Sequence, residues 1–201
     1  MNLLAHAYLS FNEPDILAGN MINDYVKGKK KFDYPIAIQR GMTLHRAIDD
    51  FTDHHPATQA AKQYFRPQYR LYAGAFVDVL YDHFLANDPA QFEDEAVLQT
   101  FCHQTYSLLQ SNLSVLPPKF QQVYPYMKTQ NWLYNYRLLS GIEKGFEGMV
   151  KRAAYLTESA IAFSIFEQYY DAFKEYYNDF FPALKQFSFD QFEQLQNINN
   201  K

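Results

Sequence analysis

Five of the six histidines lie before residue 90, and several share a helical face with an aspartate. In HRAIDD, His45 and Asp49 are four residues apart, one turn along the same face of a helix. In FVDVLYDHF, Asp78 and Asp82 have that spacing, with His83 adjacent. In LAGNMINDYVKG, Asn20 and Asp24 repeat it, flanked by Asn23 and Lys27, and His6 sits in the opening stretch MNLLAHAYLS. Helices that each turn such a pair inward are how helical folds assemble a metal centre. Imidazole nitrogen with carboxylate oxygen suits a divalent ion such as Mn, Fe, Zn or Mg, and a mostly oxygen set leans toward Mn or Mg. The expected ligands are Asp24, His45, Asp49 and Asp82, with His6, Asp78 and His83 as further candidates. A His–Asp pair one turn apart also serves as a purely structural hydrogen-bonded pair, so spacing alone leaves both readings open. Repetition favours the metal: aspartate is a mediocre interior helix residue, and three acidic faces crowd the first ninety positions.

Other catalytic patterns are missing. The chain has no GxSxG and no glycine-rich phosphate loop. Cys102 falls on an apolar stripe and is expected to be a buried thiol, and His103 beside it points about 100° away around a helix. His54 and His55 precede Pro56, where a polar cap and turn are expected. Positive charge gathers in the same half as the acidic faces. Lys27, Lys29, Lys30 and Lys31 stand together, Arg40 and Arg46 follow, and Lys62, Arg66 and Arg70 recur every fourth residue as a basic helix ridge. That ridge fits an anionic substrate or an acidic protein partner, whereas KGKKK alone reads as a solvated loop.

The elements that must position these groups are helices. Alternation with hairpin turns never persists, so no strand is expected. Pro14 opens a helix that Gly28 closes, and Pro35 opens a second that stops by His55 because Pro56 follows. A third runs from Pro56 and bends or breaks near Pro67; a fourth covers AFVDVLYDHFLAND. The second half continues with EAVLQTFCHQTYSLLQ, a helix start at Pro117-Pro118 and a break at Pro125. After them come a glycine-punctuated helix over NWLYNYRLLSGIEKGFEGMVKRA and an aromatic helix ending near Pro182. The tail QNINNK is expected to fray. With no repeat or low-complexity linker, residues 1–201 read as one all-α, single-domain helical bundle.

Composition agrees. The chain has 201 residues, 48% hydrophobic and 20% charged, enough for a core without staples. One cysteine excludes a disulfide framework and a cysteine-rich zinc site, and suits a reducing, cytoplasmic compartment. No apolar run has the length to cross a bilayer, and the opening lacks a basic leader region, so neither a membrane span nor a signal peptide is expected. The net charge of −4 argues against a general nucleic-acid binder. The 18 Phe and 17 Tyr are expected mainly in the core, with some Tyr free to line a groove.

Taken in order, MNLLAHAYLS, LAGNMINDYVKG, GMTLHRAIDDFTDHHP and VDVLYDHFLA resemble the motif series of the acyl carrier protein phosphodiesterase (hydrolyase) family, helical relatives of the HD-type metallophosphohydrolases. NWLYNYRLLSGIEKGFEGMVKR and DFFPAL resemble further family positions, so the likeness covers most of the chain. It implies a distorted HD-like helical domain that hydrolyses holo acyl carrier protein to apo carrier protein and 4′-phosphopantetheine. It also implies a divalent metal, manganese first and Mg²⁺ or Fe²⁺ otherwise, an acidic carrier protein as partner, and a place in fatty acid and lipid metabolism. The matched positions are His6, Asn20, Asp24, His45, Arg46, Asp49, Asp53, Asp78, Asp82 and His83. Lys27 stands where the family has arginine, which keeps the charge but loses the bidentate fork. The adjacent His-Asp order of HD enzymes is absent; His45-Arg46 and Asp82-His83 stand in its place.

The mechanism so implied is metal-assisted phosphodiester hydrolysis. Asp24, His45, Asp49 and Asp82 would hold the ion, with Asn20, Asp53 and Asp78 as supporting groups or alternative ligands. Arg46 or Lys27 would clamp the phosphoryl oxygens, His6 or His83 would protonate the departing serine oxygen, and Lys62, Arg66 and Arg70 would face the carrier protein. Two other classes stay open: a metal phosphohydrolase of nucleotides or other small phosphoesters, and a non-catalytic helical binding module.

Overall fold

The computed structural model describes residues 1–197. They form eleven α-helices and no strand. A short first helix, α1 (Leu3–Tyr8), is followed by α2 (Pro14–Ile22), with Pro14 in its first turn where a missing N–H costs nothing. Two 3-10 segments, Asn23–Tyr25 and Gly28–Asp33, lead to the 19-residue α3 (Ile36–His54). Next come α4 (Pro56–Tyr69), α5 (Ala73–Ala86), α6 (Glu95–Asn112) and α7 (Pro118–Thr129). The second half closes with α8 (Trp132–Asn135), α9 (Leu139–Arg152), α10 (Ala160–Gln168) and α11 (Tyr170–Asn197). No described helix is long and apolar enough to cross a membrane.

Three sequence expectations need correction. The helix expected to run to Gly28 stops at Ile22: Val26 and Lys27 are extended, and Gly28 takes a left-handed φ of 59°. Pro125 and Pro182 were expected to end helices, yet both lie inside them, in α7 and α11. An interior proline costs about 3 kcal/mol. Burial of Tyr124 and Met127 in α7, and of Phe180, Phe181 and Leu184 in α11, offsets it. Pro67 likewise sits within α4, which ends two residues later at Tyr69, and Arg70 then takes a positive φ of 47°. The polar tail extends beyond the described residues.

One continuous buried cluster runs from Met1 to Leu184 and takes in residues of every helix. Aromatic rings fill it. Phe65 stacks on Phe76 (5.4 Å) and on Phe173 (5.3 Å), and Phe146 meets Phe76 edge-on at 5.0 Å. Most of the aromatic excess is therefore packing. Cys102 is fully buried as expected, and burial pushes its thiol up to about 12.

The helix pair that positions the chemistry is α2 against α3. Their backbones touch at Gly19 and Gly41. A Cβ on Gly19 would collide with the Ile38 carbonyl, and one on Gly41 with the Ile16 carbonyl. This approach lays Asn20 beside His45, one turn beyond Gly41. Gly41→Ala is expected to push the helices apart and cost about 2 kcal/mol, the overpacking range. A urea midpoint equal to wild type would show that the crossing tolerates a side chain.

Candidate metal centre

Four side chains from three segments meet at the rim of α3. His6 comes from α1, Asp24 from the first 3-10 segment, and His45 and Asp49 from α3. His6 and His45 are buried and stack face to face, with ring centroids 3.9 Å apart and planes 11° apart. His6 Nε2 lies 3.2 Å from Asp49 Oδ1. His45 Nε2 lies 3.0 Å from Asp49 Oδ2 and 3.3 Å from Asp24 Oδ1. One ligand atom from each of His6, His45 and Asp49 falls within 4.8 Å of the others. Asp49 is 41% exposed and Asp24 77%, so the carboxylates face solvent while the imidazoles form the floor.

Asn20 sets the orientation of both rings. Its Nδ2 donates to the His6 carbonyl (2.8 Å) and to Ser10 Oγ (3.1 Å), which fixes Oδ1 as the acceptor facing His6. His6 Nδ1 therefore donates to Asn20 Oδ1 at 2.8 Å. His45 Nδ1 donates to the Asn20 main-chain carbonyl at 2.7 Å. With both Nδ1 positions protonated, neutral rings present bare Nε2 lone pairs. Both Nε2 atoms are buried without a hydrogen bond, yet carboxylate oxygens stand against them. Lone pairs facing carboxylates repel unless a proton or a metal ion lies between. A ring whose Nδ1–H is held by a carbonyl while its Nε2 stays free is the arrangement of a metal-ligating histidine.

The electrostatics express the same demand. Burial works against charge on His45, but Asp24 and Asp49 at its Nε2 prevail and lift it to about 9. Burial, with His45 beside it, lowers His6 to about 4. Asp49 resists burial and is held well below the carboxylate range by the two imidazoles, and the contact with His45 lowers Asp24. The Met1 ammonium adds positive charge, 3.0 Å from Asp78 Oδ1 and 3.5 Å from Asp49 Oδ1.

Asp82, an expected ligand, is not brought to this cluster. Its oxygens accept the main-chain N–H groups of Leu4 (2.7 Å), Ala5 (3.2 Å) and Asn2 (3.3 Å). The α5 carboxylate thus takes up the free donors at the start of α1, which a helix N-terminus leaves unpaired. It holds the start of α1, the helix that carries His6. Burial still raises Asp82 to about 7 against those donors. His83 also lies away from the cluster. Its Nδ1 donates to the Tyr136 carbonyl (2.7 Å) and its Nε2 meets the Tyr170 hydroxyl (3.2 Å), so it ties α5 to the chain after α8 and to α11. Burial lowers its pKa.

The remaining expected residues fall on the rim or beyond. Arg46 is exposed and donates from Nε to Asn23 Oδ1 at 3.1 Å, beside Asp24. Lys27 is exposed three residues past Asp24. Asp53, one turn beyond Asp49, pairs with Lys62 Nζ at 2.7 Å. The basic ridge does not form one outward face, because Lys62 turns inward and is 8% exposed, while Arg66 and Arg70 stay outside. Asn20 had a place among the supporting groups, but nothing in its spacing marks it as the residue that orients both rings.

An all-helical chain that turns two imidazoles and two carboxylates toward one point defines a helical protein built around a candidate metal centre. The family model described as acyl carrier protein phosphodiesterase matches residues 1–184, and the chain belongs to that family. Proteins named acyl carrier protein phosphodiesterase from Enterobacter sp. (strain 638) and Yersinia pestis are each 33% identical over 184 residues. Those alignments cover 92% of this chain and 95% of theirs. One from Pectobacterium atrosepticum is 33% identical over 186 residues, 92% of this chain and 96% of its own. No solved structure matches the chain.

Proposed function

We propose that this chain hydrolyses the phosphodiester between 4′-phosphopantetheine and a serine of holo acyl carrier protein, with a divalent cation held by His6, His45, Asp49 and Asp24. The observation that carries the reading is the pair of buried, unpartnered Nε2 atoms facing carboxylates, in a chain whose relatives are named for this activity. Manganese fits best, because hard carboxylate oxygens join two imidazoles, with Mg²⁺ and Fe²⁺ next. When bound, the ion supplies Lewis-acid charge and a more acidic water.

The chain's own residues do the rest. Asn20 holds both imidazoles in the donor tautomer. Arg46 and Lys27 bring positive charge to the exposed side, where phosphoryl oxygens gain charge in the transition state. His6 acts in this reading as a ligand rather than as the acid. His83, with both nitrogens engaged, is structural, and Asp82, Asp78 and Asp53 hold neighbouring segments in place. Exposed Lys27, Lys29, Lys30, Arg66 and Arg70 face the acidic carrier protein, whose work places the reaction in the cytoplasm and in fatty acid metabolism. Residues 1–201 act as one domain around the single core.

Holo carrier protein incubated with the enzyme and Mn²⁺ should lose the mass of phosphopantetheine, and chelation should stop the loss. Unchanged carrier mass with Mn²⁺, Mg²⁺ and Fe²⁺ would contradict the substrate. Cleavage confined to small phosphoesters would instead favour a nucleotide or small-ester phosphohydrolase.

A further inference from the structure

A cavity of about 380 Å³ opens between the start of α1, the α7–α8 turn and one face of α9. It adjoins the imidazole cluster, because Asn2 in its lining follows Met1, whose ammonium lies 3.5 Å from Asp49 Oδ1, and its volume is in the range of small-ligand sites, about 300–1,000 Å³. Asn2, Gln130, Trp132, Lys144, Gly148 and Arg152 are among the groups that line it. Lys144 and Arg152 are both exposed, whereas the neighbouring Lys151 is paired with Glu147 at 3.6 Å. Gly148 leaves the α9 face bare, and the Arg152 guanidinium folds across it, 3.5 Å from where a Cβ would stand.

The cavity has a direction. Arg152 is the last residue of α9, at the opposite end of that helix from Gly141. Trp132 and Gln130 stand toward the other end of α9, where Gly141 meets Asn135. A guanidinium at one end is suited to a phosphate, which it grips by two parallel hydrogen bonds. Side-chain amides and one aromatic face beyond it are suited to a flexible chain that alternates amide and apolar carbon groups.

We propose that this cavity receives the pantetheine arm of the carrier protein's prosthetic group, with the scissile phosphate between the imidazole cluster and Arg152 and the thiol end toward Trp132. The assignment rests on the proposed reaction for its ligand, and it adds where the arm lies and which way it runs. The aromatic interior, by contrast, is filled by its own rings.

Trp132 is the single tryptophan of the chain and lines the cavity, so its emission reports occupancy directly. Titrating the full-length protein with 4′-phosphopantetheine should change that emission saturably. Gly148→Leu, which fills the floor, should weaken binding at least tenfold, and Arg152→Ala should do the same while leaving the helix intact. Pantetheine without its phosphate should bind more weakly to wild type, yet equally to wild type and Arg152→Ala. No saturable change, or equal phosphopantetheine affinity in wild type and Arg152→Ala, would overturn the proposal. Binding that follows this pattern while holo carrier protein stays intact would support the cavity and count against the reaction alone.

Discussion

His45→Ala is expected to abolish metal retention after desalting and to lower kcat/KM for holo carrier protein by about a thousandfold, some 4 kcal/mol of transition-state stabilisation. The size follows from what the ring joins. Its Nε2 lies within 3.3 Å of both Asp24 and Asp49, and its Nδ1 is locked on the Asn20 carbonyl. Without it the two carboxylates lose the nitrogen that stands between them, and His6 loses its stacking partner. Elemental analysis and the carrier-mass assay on one preparation check both halves. If the variant keeps wild-type metal and rate, His45 belongs to a structural pair.

Asn20→Ala is expected to have the second largest effect, and to act on stability and metal together. Asn20 is fully buried and makes three side-chain hydrogen bonds, to His6 Nδ1, the His6 carbonyl and Ser10 Oγ. Ser10 Oγ retains its bond to the His6 carbonyl in the variant, which softens the loss. Leaving buried polar groups unpaired costs about 1–3 kcal/mol each, so a total of about 3–5 kcal/mol is expected in urea unfolding. Loss of the group that orients a ligating histidine typically lowers metal affinity about 10–100-fold. Loss of stability with unchanged Mn²⁺ affinity would mean that Asn20 supports the fold without orienting the rings.

How far the site can be read from residue order depends on what each helix packs against. His45 and Asp49 lie in the middle of a regular helix, so their spacing alone puts them on one face, and there they are. Asn20 and Asp24 have that spacing too, but the helix ends at Ile22. The 3-10 turn that follows sends Asp24 to His45 while Asn20 stays under both rings. Asp78 and Asp82 lie on a regular helix, yet the start of α1 packs against them, and main-chain donors claim Asp82. Spacing reports a face and is silent about what covers it. The same limit applies to Lys62, Arg66 and Arg70, whose shared periodicity hides that Lys62 turns inward to Asp53. Pro125 and Pro182 mislead for a related reason, since local propensity is outweighed where flanking aromatics are buried. The α9 cavity joins residues from Asn2 to Arg152, a combination that no local pattern displays.

The central claim is that His6, His45, Asp49 and Asp24 share one cation. An anomalous difference map from crystals soaked in Mn²⁺ tests it most directly. A peak among the Nε2 atoms of His6 and His45 and the carboxylate oxygens of Asp49 and Asp24 is the expected result. A peak at Asp82 or elsewhere, with those two nitrogens hydrogen-bonded to water or to protein, would contradict it.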